Sequence, residues 1–332
     1  MNKKINFQTQ NSSEIKRYIK TTNDLIDNFL DYSFNQRNFS EHTISNYKRD
    51  LEKYLEHTIS EGIDLFVADR KDIRNFIISE ANQGYKNTSL SRKLSSIKSF
   101  YKFLLKRGII KSNPSKLVNS PKKEKKLPSF MYFEEIEKLL VNPEKDENIF
   151  EQIYSRSFKN NKPLFNLLQT RDRLIFYFLY STGVRVSELV SFNLHQINFQ
   201  QGTSKVMGKG KKERSIFFTE NVLSLIKKYL TIRKSFTNPE ETALFINQKG
   251  TRLTQRSVQN IVKNAIEQIS LKKKVTPHTF RHTFATHLMD NGADIRSVGE
   301  MLGHASISTT QIYSHVTKDK IKKVYDNFHP HA

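Results

Sequence analysis

The strongest constraint on the fold is a basic segment between Lys111 and Phe130 that separates two long stretches of helical pattern. Three prolines and a cluster of lysines occupy it, and such a composition interrupts a helix and keeps the chain extended. At 332 residues the chain also exceeds the roughly 100–200 residues of one typical domain. The sequence therefore predicts two domains, with these boundaries: 1–20 for a polar, mobile N-terminus, 21–110 for the first domain, 111–130 for a linker and 131–332 for the second domain.

The first domain has the periodicity of amphipathic helices. One apolar run follows Ser40, a good N-cap residue, and another ends at Gly108, which suits the position after a helix C-terminus. The runs are Ile44, Tyr47, Leu51, Tyr54 and Leu55, and Leu90, Leu94, Ile97, Tyr101, Leu104 and Leu105. Their three- and four-residue steps predict a small bundle of about four helices.

The second domain is also mostly helical, with one β signal. Two apolar stretches, Lys205–Met207 and Arg214–Phe218, flank the lysine-rich turn Gly208–Lys212 and predict a β-hairpin. The polar segment from Pro143 to Gln169 has the composition of an insertion between helices. It could contact DNA or a partner, or be a tolerated insertion without a role.

The charge of the chain indicates a polyanionic partner. It contains 55 Lys+Arg against 33 Asp+Glu, a net charge of +22. DNA or RNA is the default partner for such an excess, although a lysine-rich genome would also produce a basic surface. The linker could likewise lie along DNA phosphates or serve only as a spacer.

Composition also limits cofactors and location. Without cysteine there is no disulfide, thiolate zinc site or cysteine nucleophile, and we expect no metal and no cofactor. The N-terminal residues are polar, and no stretch approaches the ~18 apolar residues of a membrane span. We therefore expect a cytoplasmic protein associated with the nucleoid, with no membrane partner.

One candidate anion site lies at the start of a helix. Thr276 as N-cap and Pro277 as the first helical residue place His278 and Arg281 one turn apart, near the positive end of the helix dipole. The apolar residues of this helix face a core: Phe280, Phe284 and Leu288. Taken alone, His278 and Arg281 could equally belong to a solvated polar face.

A second candidate segment follows the apolar stretch Leu174–Leu179, which must be buried. Gly183 permits a break between two helices, so Arg185 lies at the edge of a core, where a charge persists only when it is paired. Glu188, one turn later, could hold its guanidinium group. In isolation, a structural ion pair is the simpler interpretation.

A third candidate segment ends in a histidine. Ile295, Val298 and Leu302 form an apolar stripe, Gly303 can end the helix, and His304 falls in the following turn. Next, Ser308–Gln311 has the pattern of a capping box that begins another helix.

Tyr313 lies in the first turns of that helix, where a tyrosine is ordinarily a packing residue. A tyrosine hydroxyl has a pKa near 10 and is a poor nucleophile, so attack on phosphorus requires groups that neutralise the phosphate. Two arginines with imidazole donors can do this without metal. The sequence supplies these: Arg185, His278, Arg281 and His304.

A general acid must also protonate the departing 5′-oxygen. A lysine at the hairpin tip could reach the minor groove and serve as this acid. Lys209, Lys211 and Lys212 are rivals for the role, and the glycines on either side favour Lys209.

The order of these residues resembles the signature of the tyrosine site-specific recombinases, the phage integrase family: Arg185, Lys209, His278-x-x-Arg281, Leu302-Gly303-His304 and Tyr313. Three local strings are similar to the Xer branch, which resolves chromosome dimers: Thr182–Leu189, Gly208–Arg214 and His278–His287. The resemblance covers the chain from about Thr21 to the end.

The resemblance implies a mainly α fold: an N-terminal helical bundle, the SAM-like core-binding domain, and an α+β catalytic domain of the tyrosine recombinase type with a small antiparallel β-hairpin. The two domains would clamp DNA. It also implies roles for individual residues. Tyr313 would be the nucleophile that forms a 3′-phosphotyrosine, Lys209 the acid and Glu188 a supporting residue, while the phosphate would be bound by Arg185, His278, Arg281 and His304.

The implied partner is double-stranded DNA with inverted-repeat half-sites, bound by a homo- or heterotetramer on two sites, with an FtsK-like divisome DNA translocase as a possible activator. The last helix, Lys318–Phe328, would dock into a neighbouring protomer through Ile321, Val324 and Phe328. Other functions share the chemistry or the charge: the integrase or transposase of a mobile element, a type IB topoisomerase, and a catalytically silent DNA-binding protein.

Overall fold

A computed structural model describes residues 12–122, 129–140, 150, 153–154, 158, 160–208, 213–269, 271, 273–303 and 318–331. The chain divides into two compact units, Met1–Lys126 and Leu127–Ala332. The predicted capping box at 308–311 and the rival lysines of the hairpin tip lie outside the described residues. So do three predicted site residues: Lys209, His304 and Tyr313.

The described part of the first unit contains four helices: α1 (Ser12–Asn35), α2 (Glu41–Ser60), α3 (Arg70–Asn82) and α4 (Asn87–Lys106). Ser40 caps α2 by accepting a hydrogen bond of 3.3 Å from the Thr43 backbone N–H, as the sequence predicts. Aromatic rings fill the centre of the bundle: Phe29, Tyr54, Phe76, Phe100 and Tyr101. The predicted four-helix bundle is confirmed.

The N-terminus differs from the prediction, because α1 begins at Ser12 and residues 12–20 are helical. Tyr18 supplies the physical reason. Its hydroxyl donates to the Asp64 carboxylate at 3.2 Å and accepts from the Leu65 backbone N–H at 2.9 Å, while its ring meets Phe66 edge-on. A contact with residues so distant in sequence cannot be read from the polar composition of the first residues.

The described ends of the predicted linker are packed rather than extended. Val118 is buried in the core of the first unit, and Met131, just after the linker, is fully buried in the core of the second. The Asn87 side chain also donates a hydrogen bond of 3.0 Å to the Lys122 carbonyl. Each described end therefore belongs to the unit next to it.

Eight α-helices of the second unit have described bounds: α5 (Phe133–Leu140), α6 (Lys162–Thr182), α7 (Val186–Ser191), α8 (Glu220–Arg233), α9 (Gln255–Gln268), α10 (Pro277–Asp290), α11 (Ile295–Leu302) and α12 (Lys318–Phe328). The apolar stretch of α6 is buried, as predicted. The range predicted for the insertion, Pro143 to Gln169, extends too far toward the C-terminus. Asn161 caps α6 by accepting from the Leu164 N–H at 3.1 Å, and residues 162–169 are helical.

The predicted hairpin is present. β1 (Thr203–Met207) and β2 (Glu213–Phe217) pair antiparallel, with Val206 opposite Arg214. Among the described residues these two strands form a small sheet against the helices. The hairpin tip at 209–212 lies outside the described residues.

Two apolar stripes differ from the sequence interpretation. Ile295 is 69% exposed, so only Val298 and Leu302 of the predicted α11 stripe are buried. α12 packs on its own chain, where its deepest residue is Tyr325, 2% exposed and 5.5 Å from Phe217 between ring centroids. Its predicted docking stripe is partly buried in the same cluster: Ile321, Val324 and Phe328. None of the described helices has the length and apolarity needed to cross a bilayer.

Candidate active site

The first turn of α10 presents two predicted site residues. Thr276 precedes Pro277 at the helix start, and its backbone N–H donates to the Thr279 hydroxyl at 3.0 Å. His278 is exposed, whereas Arg281 is only 8% exposed. One turn of helix therefore offers an accessible imidazole and a buried guanidinium near the positive end of the helix dipole.

Arg281 joins three segments that the sequence singles out. Its Nη1 donates to the Gly183 carbonyl at 2.7 Å, and its Nη2 donates to the Leu302 carbonyl. Gly183 ends α6 and Leu302 ends α11, so the guanidinium ties α10 to both helix ends. Because a guanidinium has five N–H donors, further donors remain for a ligand.

The environment of Arg281 favours an anion. Burial, and then the positive charges of Arg185 and Arg214, lower the pKa of Arg281 to about 9, while Glu188 acts in the opposite direction. The guanidinium remains charged at neutral pH, but it lies among other positive charges. A bound phosphate would relieve this repulsion and form charge-assisted hydrogen bonds.

The turn before Arg185 requires glycine. Gly183 has φ +58°, and a Cβ there would lie 2.6 Å from Phe284 Cδ1 and 2.9 Å from Leu302 Cδ2. Neither the left-handed conformation nor the available space suits a side chain. The close packing at Gly183 therefore fixes where the chain leaves α6 and presents Arg185.

Arg185 pairs with Glu188, as the sequence suggested. Its Nη1 donates to Oε1 at 2.9 Å and its backbone N–H donates to Oε2 at 2.8 Å. The Arg185 side chain is nevertheless 29% exposed. One edge of the guanidinium is thus held by the protein while another remains accessible to a ligand.

Arg214 is part of this site, and sequence reasoning missed it. It donates to Glu188 twice, from Nη1 to Oε1 at 2.8 Å and from Nη2 to Oε2 at 2.6 Å, and its Nε donates to the Met301 carbonyl at 2.8 Å. A signal was available in the sequence. Arg214 shares a strand face with Ile216 and Phe218, so the period-two pattern of a strand places its charge inside, where it needs a partner.

Glu188 is therefore shared by two arginines. Burial acts to raise the pKa of its carboxyl group, but hydrogen bonds from Arg214 and the Arg185 backbone, with the Arg214 charge, outweigh burial and the pKa lies below its usual value. With one carboxylate among the guanidinium groups of Arg185, Arg214 and Arg281, the cluster carries a net positive charge. It is suited to bind an anion.

The structure thus brings together three of the predicted site residues, Arg185, Glu188 and Arg281. His278 lies one turn from Arg281 on α10. Lys209 follows the last described residue of the β1 end, and His304 follows Gly303 directly, but both lie outside the described residues, as does Tyr313. Within the described ranges no group of His, Asp and Glu side chains is arranged to hold a metal ion.

Comparison with known proteins identifies the family. Residues 130–320 match the model of the phage integrase family, and residues 26–108 match its N-terminal SAM-like domain. The chain is a tyrosine recombinase of the phage integrase family. The enzyme therefore breaks and rejoins DNA, and the predicted mainly α fold with an N-terminal SAM-like bundle is confirmed.

Curated relatives of this recombinase are similar over nearly their whole length. Tyrosine recombinase XerC of Leptospira interrogans is 39% identical over 315 residues, which cover 94% of this chain and 95% of the relative. Tyrosine recombinase XerD of Oceanobacillus iheyensis is 38% identical over 314 residues, covering 92% and 98%. The enzyme thus belongs among the Xer tyrosine recombinases, which supports site-specific recombination.

Solved structures share the recombinase fold. The Tn1549 transposon integrase in complex with a circular intermediate DNA has a TM-score of 0.65 at 17% identity, covering 91% of this chain and 98% of that one. The XerH site-specific recombinase bound to its difH substrate has a TM-score of 0.60 at 24% identity, covering 86% and 77%. At these identities the likeness concerns the fold alone.

Proposed function

We propose that this recombinase exchanges strands at a specific site with inverted-repeat half-sites, and that its cellular role is the resolution of chromosome dimers near the replication terminus. The support is the near full-length similarity to XerC and XerD, in which each alignment covers more than nine-tenths of both chains.

The observation that carries the chemical part of the proposal is the convergence of Arg185 and Arg281. Arg281 is held by the carbonyls of Gly183 and Leu302, and Arg185 is held by Glu188, yet both guanidinium groups retain unused donors. Two fixed guanidinium groups at a helix N-terminus can bind the two non-bridging oxygens of a phosphodiester and stabilise the charge of a five-coordinate phosphorus. We assign His278 and His304 as further phosphate ligands.

The reaction is a transesterification. The Tyr313 hydroxyl oxygen attacks phosphorus and gives its proton to solvent water, a bond forms between that oxygen and phosphorus, and the bond to the 5′-oxygen breaks. Lys209 gives a proton to the departing 5′-oxygen. The product is a 3′-phosphotyrosine and a free 5′-hydroxyl, so the energy of the phosphodiester is retained and no ATP is required.

A 5′-hydroxyl from a second duplex then attacks the phosphotyrosine and releases Tyr313. Two such exchanges pass through a Holliday junction and require two sites and four active sites, so the enzyme acts as a tetramer of this chain or of this chain with a paralogue. In that tetramer we expect α12 to exchange its packing on its own chain for contact with a neighbouring protomer, and a divisome DNA translocase to activate exchange.

A plasmid assay tests the proposal. The purified enzyme is given a supercoiled plasmid with two copies of an inverted-repeat site from the terminus region of its own chromosome, and a matched plasmid without them. We expect products with exchanged strands from the first plasmid only. A third plasmid carries the sites that flank a mobile element, and exchange on that plasmid alone would assign the enzyme to integration. Relaxation of all three plasmids without exchange would contradict recombination.

A further inference from the structure

Arg214 is the more enclosed of the two arginines that pair with Glu188. It lies on β2 opposite Val206, on the strand face that turns toward the core with Ile216. Its side chain is 7% exposed, against 29% for Arg185. A guanidinium group buried to this extent requires a specific set of acceptors.

Those acceptors belong to two separate segments of the site. Nη1 and Nη2 form a bidentate pair with the Glu188 carboxylate at 2.8 and 2.6 Å, and Nε donates to the Met301 carbonyl at 2.8 Å. Each nitrogen of the guanidinium group thus has a protein partner. The side chain links the hairpin to α7 and to the last turn of α11.

Glu188 uses its full capacity as an acceptor. Its two oxygens accept hydrogen bonds from the Arg185 side chain, the Arg185 backbone N–H and both Nη groups of Arg214. A carboxylate has about four lone-pair positions. If Arg214 were removed, the buried carboxylate would be free to turn toward Arg185, and its charge would offset one of the phosphate-binding charges.

Arg214 also holds the end of α11. The Met301 carbonyl accepts from Arg214, the next carbonyl, of Leu302, accepts from Arg281, and Gly303 has φ +63°. A Cβ at Gly303 would lie 3.0 Å from the Arg214 Cδ. The two arginines therefore fix the backbone just before His304.

We infer that Arg214 is a positioning residue: it neutralises Glu188 and fixes Arg185 and the end of α11 so that Arg185 and Arg281 can act together on the scissile phosphate. This inference rests on the proposed function of Arg185 and Arg281. Arg214 is not itself a phosphate ligand, because its donors are directed at Glu188 and Met301 and its side chain is enclosed.

The test compares two substrates that differ only in charge at the scissile phosphorus. One is a nicked suicide substrate with an ordinary phosphodiester, and the other carries a methylphosphonate, in which a methyl group replaces one non-bridging oxygen and removes the negative charge. A residue that serves phosphate neutralisation matters less for the neutral substrate, whereas a loss of folded enzyme slows both equally. The measured quantity is the ratio of the two single-turnover cleavage rates.

Arg214→Gln should lower the ratio of phosphodiester to methylphosphonate cleavage by about tenfold or more, with DNA affinity within about threefold of the wild type. Arg214→Lys, which keeps one charge beside Glu188 but cannot form the bidentate pair, should change the ratio in the same direction by less. Arg233→Gln is the matched control. That residue is also a buried arginine of the second unit, but its partners are the Thr237 hydroxyl and the Glu241 and Ala243 carbonyls, so its substitution should leave the ratio unchanged.

A wild-type ratio in both Arg214 variants would overturn the positioning role, whether the two cleavage rates are unchanged or equally slowed. Where Arg214→Gln does not fold, Arg214→Lys alone decides by the same criterion. Failure of the proposed function is a different result, since the wild-type enzyme would then form no covalent adduct on either substrate.

Discussion

The Nη1 group of Arg281 donates a hydrogen bond of 2.7 Å to the carbonyl oxygen of Gly183. This bond connects the helix that carries His278 to the turn that presents Arg185, so the geometry of the proposed phosphate site depends on a backbone turn with no reactive group of its own. Gly183 is therefore the first position to test.

Gly183→Ala should destabilise the protein and slow cleavage together. The new Cβ would lie 2.6 Å from Phe284 Cδ1 in a left-handed turn at φ +58°. We expect a loss of roughly 2–5 kcal/mol in the free energy of unfolding, from backbone strain and overpacking combined. Denaturant unfolding and single-turnover cleavage measure the two effects.

Gly202→Ala is the matched control for this change. Gly202 has nearly the same φ, +59°, but a Cβ there would have ordinary contacts at 3.4 and 3.6 Å. It should show only the strain of about 1–2 kcal/mol and no selective loss of cleavage. Equal effects of the two substitutions would show that packing at Gly183 does not matter.

Arg185→Ala and Arg281→Ala should each lower the rate of cleavage by about a thousandfold or more, with DNA binding nearly intact. Most of the affinity of a protein with net charge +22 comes from many other phosphate contacts. Binding is measured by fluorescence anisotropy and cleavage on a suicide substrate. A parallel loss of binding and cleavage would contradict the assigned roles.

The same two variants should differ in stability. Arg281→Ala removes the partner of two buried carbonyls, those of Gly183 and Leu302, and should cost about 2–4 kcal/mol. In Arg185→Ala, Glu188 keeps its two hydrogen bonds from Arg214, so the loss should stay below about 1 kcal/mol. Denaturant unfolding of both variants checks this order.

Lys209→Ala should be rescued by a substrate whose 5′-bridging oxygen is replaced by sulfur. A thiolate leaves without protonation, so a missing general acid then matters little. Lys211→Ala and Lys212→Ala are matched controls from the same turn and should show neither the defect nor the rescue. A defect in Lys209→Ala that persists with the sulfur substrate would contradict the assignment as the acid.

Stability of the second unit should fall as the pH falls below about 6.5, because His329 is buried in its neutral form. Burial lowers the pKa of His329 to about 3, and its Nδ1 accepts from the His331 backbone N–H at 3.1 Å. In the unfolded chain the imidazole binds a proton near pH 6.5, so lower pH favours unfolding. One such group should remove about 2 kcal/mol by pH 5.

The measured quantity is the free energy of opening of the α12 amides between pH 5 and 7.5, obtained from hydrogen exchange after correction for the intrinsic exchange rate at each pH. His329→Phe should reduce the pH dependence. Burial also lowers the pKa of His287, so part of the dependence should remain. The exposed His42 on α2 is the control, and His42→Gln should leave the α12 profile unchanged. A profile that does not change with pH in the wild type would contradict the neutral, buried state of His329.

Much of the fold could be predicted because its signals are local. The cap at Ser40, the start of α10 at Thr276 and the break at Gly183 each depend on a few adjacent residues. The predictions that failed concern contacts between distant segments. The helical N-terminus depends on Tyr18 meeting Asp64, and a period of three to four residues could not show that Ile295 faces solvent.

The candidate site likewise contains contacts that the sequence could predict and contacts that it could not. The Arg185–Glu188 pair is one helical turn and was predictable from spacing. The strand pattern indicates that Arg214 faces inward, but its partners, Glu188 and Met301, lie 26 and 87 residues away, and only the tertiary structure identifies them. Packing, rather than local pattern, decides which basic residues surround the proposed phosphate site.

The most direct test of the central claim is covalent trapping on a nicked suicide substrate that carries the target site, with the attached peptide mapped by mass spectrometry. We predict a 3′-phosphate adduct on Tyr313 in the wild-type enzyme and none in Tyr313→Phe. The absence of any adduct in the wild type, or an equal adduct in Tyr313→Phe, would contradict the account.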